Sequence, residues 1–202
     1  MPLDFVFLLS PATMVVKDAE GRRFGVAGRR AWADLPGAIP AIGTDNLYLL
    51  PLDRDLEISV HGTGEGTYKL GVVAGSLGRS VTLIDVPVGP DTHDRVGISA
   101  ELGEVSFATD DRDKSVSLVY GVQGDRDVRA LTVTGLQTGA GSPVTMRAAR
   151  NLSTFERDTG GPEQQLTVGL AATTVEDSVQ RRLGRRRSGQ RLPGAGLDRA
   201  RP

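Results

Sequence analysis

The stretch Leu56–Val72, LEISVHGTGEGTYKLGV, decides the fold class. Leu56, Ile58 and Val60 alternate with Glu57, Ser59 and His61, and Tyr68, Leu70 and Val72 alternate with Thr67, Lys69 and Gly71. A period of two sends one face of each run into a core and the other into water, the pattern of a half-buried strand. Between the runs, Gly62, Gly64 and Gly66 permit a reversal, with Gly64 expected at positive φ. Residues 55–74 therefore read as a β-hairpin.

The same grammar extends in both directions. Toward the N-terminus, Phe5–Leu9 is stopped by Ser10 and Pro11, Met14–Lys17 leads into a turn at Asp18–Gly21, and Leu47–Leu50 ends at Pro51. Toward the C-terminus the strand-like runs are Ser80–Val88, Val96–Ser99, Glu104–Ala108, Ser115–Val122, Val128–Thr134, Pro143–Ala148, Leu152–Glu156 and Gln165–Leu170. Val128–Thr134 is expected to pair with Pro143–Ala148 across the glycine-rich Gly135–Gly141. Only Val175–Leu183 favours a helix, and it has no apolar face to bury. The expectation is an all-β, antiparallel β-sandwich. The two glycine-turn units echo each other, which predicts two small sandwiches in tandem, residues 1–90 and 91–177, with a seam near Val88–Asp94. One sandwich spanning the whole body is the alternative.

Charge separates a tail from this body. Residues 178–202 hold eight arginines against Asp198 and are rich in Gly and Pro, so the net −1 divides into +7 on the tail and −8 on residues 1–177. The tail has no apolar period and is expected to be disordered. An acidic body disfavours general nucleic-acid binding. The chain has no cysteine, which excludes disulfides, thiol nucleophiles and thiolate zinc sites. Phe5–Leu9, the most apolar run near the start, is too short for a signal-peptide core or a membrane span.

Ser10–Gly25, SPATMVVKDAEGRRFG, resembles the opening of accessory, Ig-like β-sandwich modules in bacterial extracellular proteins: Ser-Pro, an apolar strand, an Asp-x-x-Gly-Arg turn and a further Gly. Leu35–Pro40, LPGAIP, is similar to the loop that follows there, and residues 55–70 to the closing hairpin. The resemblance covers roughly residues 8–74. It implies a module at the cell surface or outside the cell that follows a hydrolase or adhesion domain and is not itself catalytic, with a neighbouring protein domain as partner.

Few residues offer chemistry. Gly62-x-Gly64-x-Gly66 leads into a strand rather than a helix N-terminus, so it is no phosphate cradle. His61 and His93 are the sole histidines, expected on a polar strand face and in the seam, and no Gly-x-Ser-x-Gly elbow accompanies them. A hydrolase would need assembly from distant residues. Asp110, Asp111 and Asp113 precede the strand Ser115–Val122, and Asp125 and Asp127 follow it. If that strand folds back on itself, the carboxylates could gather the six to eight oxygens calcium takes, although Arg112, Lys114 and Arg126 are interleaved among them. Trp32, the sole tryptophan, is the candidate ligand platform of a carbohydrate binder or else a loop anchor. The reading is a non-catalytic accessory module without a cofactor that spaces or docks a neighbouring domain, with a carbohydrate- or calcium-binding module and a hydrolase with an unrecognised site as the alternatives.

Overall fold

The computed structural model describes residues 4–41, 46–110, 113–158 and 165–174. The basic tail, the helix-favouring Val175–Leu183 and Asp111 lie outside the described residues. Among the described residues sixteen strands follow one another: β1 (Asp4–Leu9), β2 (Ala12–Asp18), β3 (Arg23–Ala27), β4 (Arg30–Ala33), β5 (Ile39–Pro40), β6 (Leu47–Leu49), β7 (Leu56–Gly62), β8 (Gly66–Ala74), β9 (Arg79–Val88), β10 (His93–Ile98), β11 (Glu104–Thr109), β12 (Lys114–Gln123), β13 (Asp127–Thr138), β14 (Val144–Ala148), β15 (Phe155–Asp158) and β16 (Thr167–Thr174). They form two eight-stranded antiparallel sheets. The first sheet runs β16-β13-β12-β9-β8-β1-β6-β5 and the second β15-β14-β11-β10-β7-β2-β3-β4. Among the described residues, no helix is long and apolar enough to cross a membrane.

The all-β expectation holds, but the pairing does not follow the glycines. β7 pairs with β2 and β10 in the second sheet, whereas β8 pairs with β1 and β9 in the first. Residues 55–74 are thus an arch that carries the chain from one sheet to the other, not a hairpin. The same correction applies to β13 and β14, which pair with β12 and β16 and with β11 and β15 respectively. Alternation cannot separate the two cases, because a strand in an arch buries one face just as a strand in a hairpin does. After β7 the chain lays down β8–β9 in the first sheet, β10–β11 in the second, β12–β13 in the first and β14–β15 in the second.

The sheets do not divide at residue 90. The β7–β10 ladder joins the two halves in the second sheet, and the β9–β12 ladder joins them in the first. The buried apolar residues other than Val15 form one cluster, running from Met14, Val16 and Ile58 through Val105 and Phe107 to Val144 and Met146. Val88–Asp94 is the β9–β10 arch, and His93 and Asp94 already belong to β10. This arch packs on the β7–β8 arch. A Cβ on Gly62 would run into the carbonyl oxygen of Gly89, and the Gly62 amide donates to the Thr92 carbonyl at 3.0 Å. Gly62 is the glycine of its motif at which a Cβ would strike backbone, and Gly66 is held by its φ of +153°. Gly64 has no positive φ, and a Cβ there would stand 3.5 Å from Pro11, an ordinary contact.

Candidate functional site

Two of the terminal strands, β4 and β5, flank an open side of the sandwich, and the candidate site lies there. β3 stays with β2 only through Lys17–Arg23, Val16–Phe24 and Val15–Gly25. At Gly25, φ is +126° and a Cβ would collide with the Met14 carbonyl oxygen, so glycine alone lets the strand pass. Across the β3–β4 ladder, Gly25 faces Trp32. The missing side chain leaves room beside the indole, and a cleft of about 490 Å³ opens between the sheet edges. Phe24, Trp32, Tyr48, Pro40, Val26, Ala31 and Ala33 line it, with Thr13 and Asn46 as its polar points.

Phe24 and Tyr48 meet edge to face, their centroids 5.1 Å apart at 83°. Asn46 Nδ2 donates to the Ala12 carbonyl at 3.1 Å. The Arg23 guanidinium carbon lies 5.7 Å from the Trp32 ring centre, so at most one indole face is open to a ligand. Thr13 Oγ1 is shielded from water and has no hydrogen-bond partner among the described residues. A buried hydroxyl left unpaired is unfavourable. Trp32 therefore sits on an edge strand, half-buried in a cleft wall, rather than in a loop.

The acidic candidates do not converge. β12 stays extended over ten residues, which sets its two ends about 30 Å apart. Asp110 and Asp113 are at one end and Asp125 and Asp127 at the other. Asp110 is bonded to Arg95 Nη2 at 2.7 Å, and Asp127 to Arg129 Nε at 2.6 Å. Among the described residues no group of three His, Asp or Glu could hold a metal ion.

His61 and His93, by contrast, meet. They are direct partners on β7 and β10, with ring centres 4.6 Å apart and planes 19° from parallel. Burial, and then the charge of His93, hold the His61 imidazole below its usual range. His93 Nδ1 stands 3.4 Å from Asp110 Oδ2, but neither histidine lines the cleft.

The polar centre that sequence reasoning missed is inside the core. Lys114 Nζ donates to both carboxylate oxygens of Asp94, at 2.8 and 2.9 Å, and Tyr68 Oη donates to Oδ2 at 2.9 Å. The Lys114 side chain is 1% exposed and that of Asp94 is 0% exposed. Burial, then the Asp94 charge and hydrogen bond, raise the Tyr68 phenol well above its usual range, which keeps it a donor. Sequence reading places Lys114 among the calcium-site cations and Asp94 in the seam. The one available signal is phase: Lys114 precedes Val116, Leu118 and Tyr120 in the buried register of β12.

No family model, curated protein or solved structure matches the chain.

Proposed function

We propose that this chain is a non-catalytic accessory β-sandwich module of a bacterial extracellular or cell-surface protein, and that it docks a neighbouring polypeptide in the cleft at Trp32. The observation that carries the reading is the cleft itself: concave, mostly apolar and placed beside a terminal strand. β4 ends its sheet among the described residues, so an extended segment laid along it could continue the ladder while its side chains fill the cleft. Carbohydrate binding is the second reading, favoured by the Trp32 indole in the cleft wall.

Trp32 is the sole tryptophan, so its fluorescence reports occupancy directly. Titration with a library of extended peptides rich in apolar and aromatic residues is expected to shift that emission. Val26→Asp, which charges the cleft wall, is expected to abolish the shift. A response to cello-, xylo- or chito-oligosaccharides instead would select the carbohydrate reading, and silence toward both would remove the cleft as a binding element. Turnover on esterase, peptidase or glycosidase substrates that disappears in His93→Ala would overturn the non-catalytic reading.

A further inference from the structure

We propose that Lys114 and Asp94 condense within the folded core to an intramolecular isopeptide bond that ties one sheet to the other. The two residues stand on β12 of the first sheet and β10 of the second. Nζ lies within 2.9 Å of both carboxylate oxygens, which brings the amine against the carboxyl group whose Cγ it would join. Such pre-positioning replaces a bimolecular encounter by an effectively unimolecular step.

The surroundings favour the neutral product. Both side chains are excluded from water, where a charged pair is poorly solvated and an amide is not penalised for net charge. β9 and β13 of the first sheet each carry a β-bulge. In the β8–β9 ladder the register slips between Tyr68 and Leu70, and in the β12–β13 ladder it slips between Val116 and Leu118. The extra residues sit on β9 opposite Tyr68–Leu70 and on β13 opposite Val116–Leu118, so each irregularity faces the strand that carries Tyr68 or Lys114.

The step balances without an external reagent. The Lys114 ammonium gives one proton to Asp94 Oδ1, leaving a neutral amine beside a carboxylic acid. The nitrogen lone pair forms a bond to Asp94 Cγ while the carbonyl electron pair moves onto Oδ2, where the Tyr68 hydroxyl stabilises it. A second proton passes from nitrogen to Oδ1, the carbonyl re-forms, and the Cγ–Oδ1 bond breaks. Oδ1 leaves as water, one hydrogen stays on the amide nitrogen, and nothing is oxidised or reduced.

Intact mass spectrometry of the full chain, folded and incubated overnight at neutral pH, tests this. The expected mass is one water below that of the sequence, and a protease digest is expected to yield a branched peptide joining the Asp94 and Lys114 segments. Lys114→Met is expected to restore the unmodified mass for its own sequence, and Tyr68→Phe to slow the loss of water. A wild-type mass equal to the sequence would overturn the proposal. So would a water loss confined to an unbranched peptide. Both measurements stand whether or not the variants fold.

Discussion

Gly25 shows how much one residue decides. It lies where β3 bends past the Met14 carbonyl, and its absent side chain creates the space that Trp32 borders. Gly25→Ala combines a disfavoured φ with a backbone clash and is expected to destabilise the fold by ~2–4 kcal/mol. Thermal unfolding checks this, and the fluorescence of Trp32 should change with it. Gly64→Val is expected to stay within ~0.5 kcal/mol of the parent, since neither clash nor positive φ exists there. Asp18 is a second residue with a measurable signature. Burial pushes its carboxyl up, but hydrogen bonds from the Arg22 side chain and amide, and the charges of Arg22 and Arg54, outweigh that and hold it below the usual range. A depressed carboxylate adds stability that is fully present above its unfolded value, here 3.8, and is lost as pH falls through the folded value. Asp18→Asn is expected to flatten the acid limb of the stability curve below about pH 4 and to lower stability at pH 7. Urea unfolding at a series of pH values checks both signs.

At the scale of the strand, β9 explains why a regular pattern slips. Val81 and Leu83 are buried, and so are Val86 and Val88, so the alternation changes phase across Ile84 and Asp85. Asp85 takes φ +54°, a left-handed conformation that short polar side chains tolerate and β-branched ones resist. β13 makes the equivalent slip at Thr134 and Gly135, the latter at φ +84°. Asp85→Val is expected to cost ~1–2 kcal/mol, whereas Asp85→Gly should be neutral or slightly stabilising. Comparing the two denaturation midpoints isolates the backbone term, because Asp85 is exposed. The slip was readable in the spacing of Val81, Leu83, Val86 and Val88. Its consequence, two strands bulged near a buried ion pair, was not.

For the whole molecule, continuity of the two sheets is the decisive fact. β7 and β9 each lose a ladder partner if the chain is cut at residue 90, and the core loses Val96, Phe107, Leu118 and Tyr120 together. Residues 1–90 alone are therefore expected to show no cooperative unfolding transition by calorimetry, while residues 1–177 should unfold as one unit. A sharp transition in the short fragment would restore the tandem arrangement. The Tyr68–Asp94–Lys114 centre works at this scale as well, since its members come from both sides of residue 90 and from both sheets. Burying a charged pair with matched partners penalises any pairing of strands that would separate them.

What the sequence determined by itself is local. The period of two in Leu56–Val60 and Tyr68–Val72 set strand type and core face, because alternation follows from the geometry of one extended chain. The turn at Asp18–Gly21 was legible for the same reason, since its hydrogen bonds close within five residues. Tertiary structure decided which strands pair. A glycine-rich connector permits a hairpin or an arch with equal ease, and the choice rests on contacts between residues far apart, such as Gly62 against Gly89 or Val60 beside Asp94. It also decided the chemistry. His61 and His93 became neighbours, the aspartates at the two ends of β12 were kept apart, and Lys114 was carried from an expected surface loop into the core. Each outcome depends on registers between strands, which side-chain periodicity along a single strand does not encode.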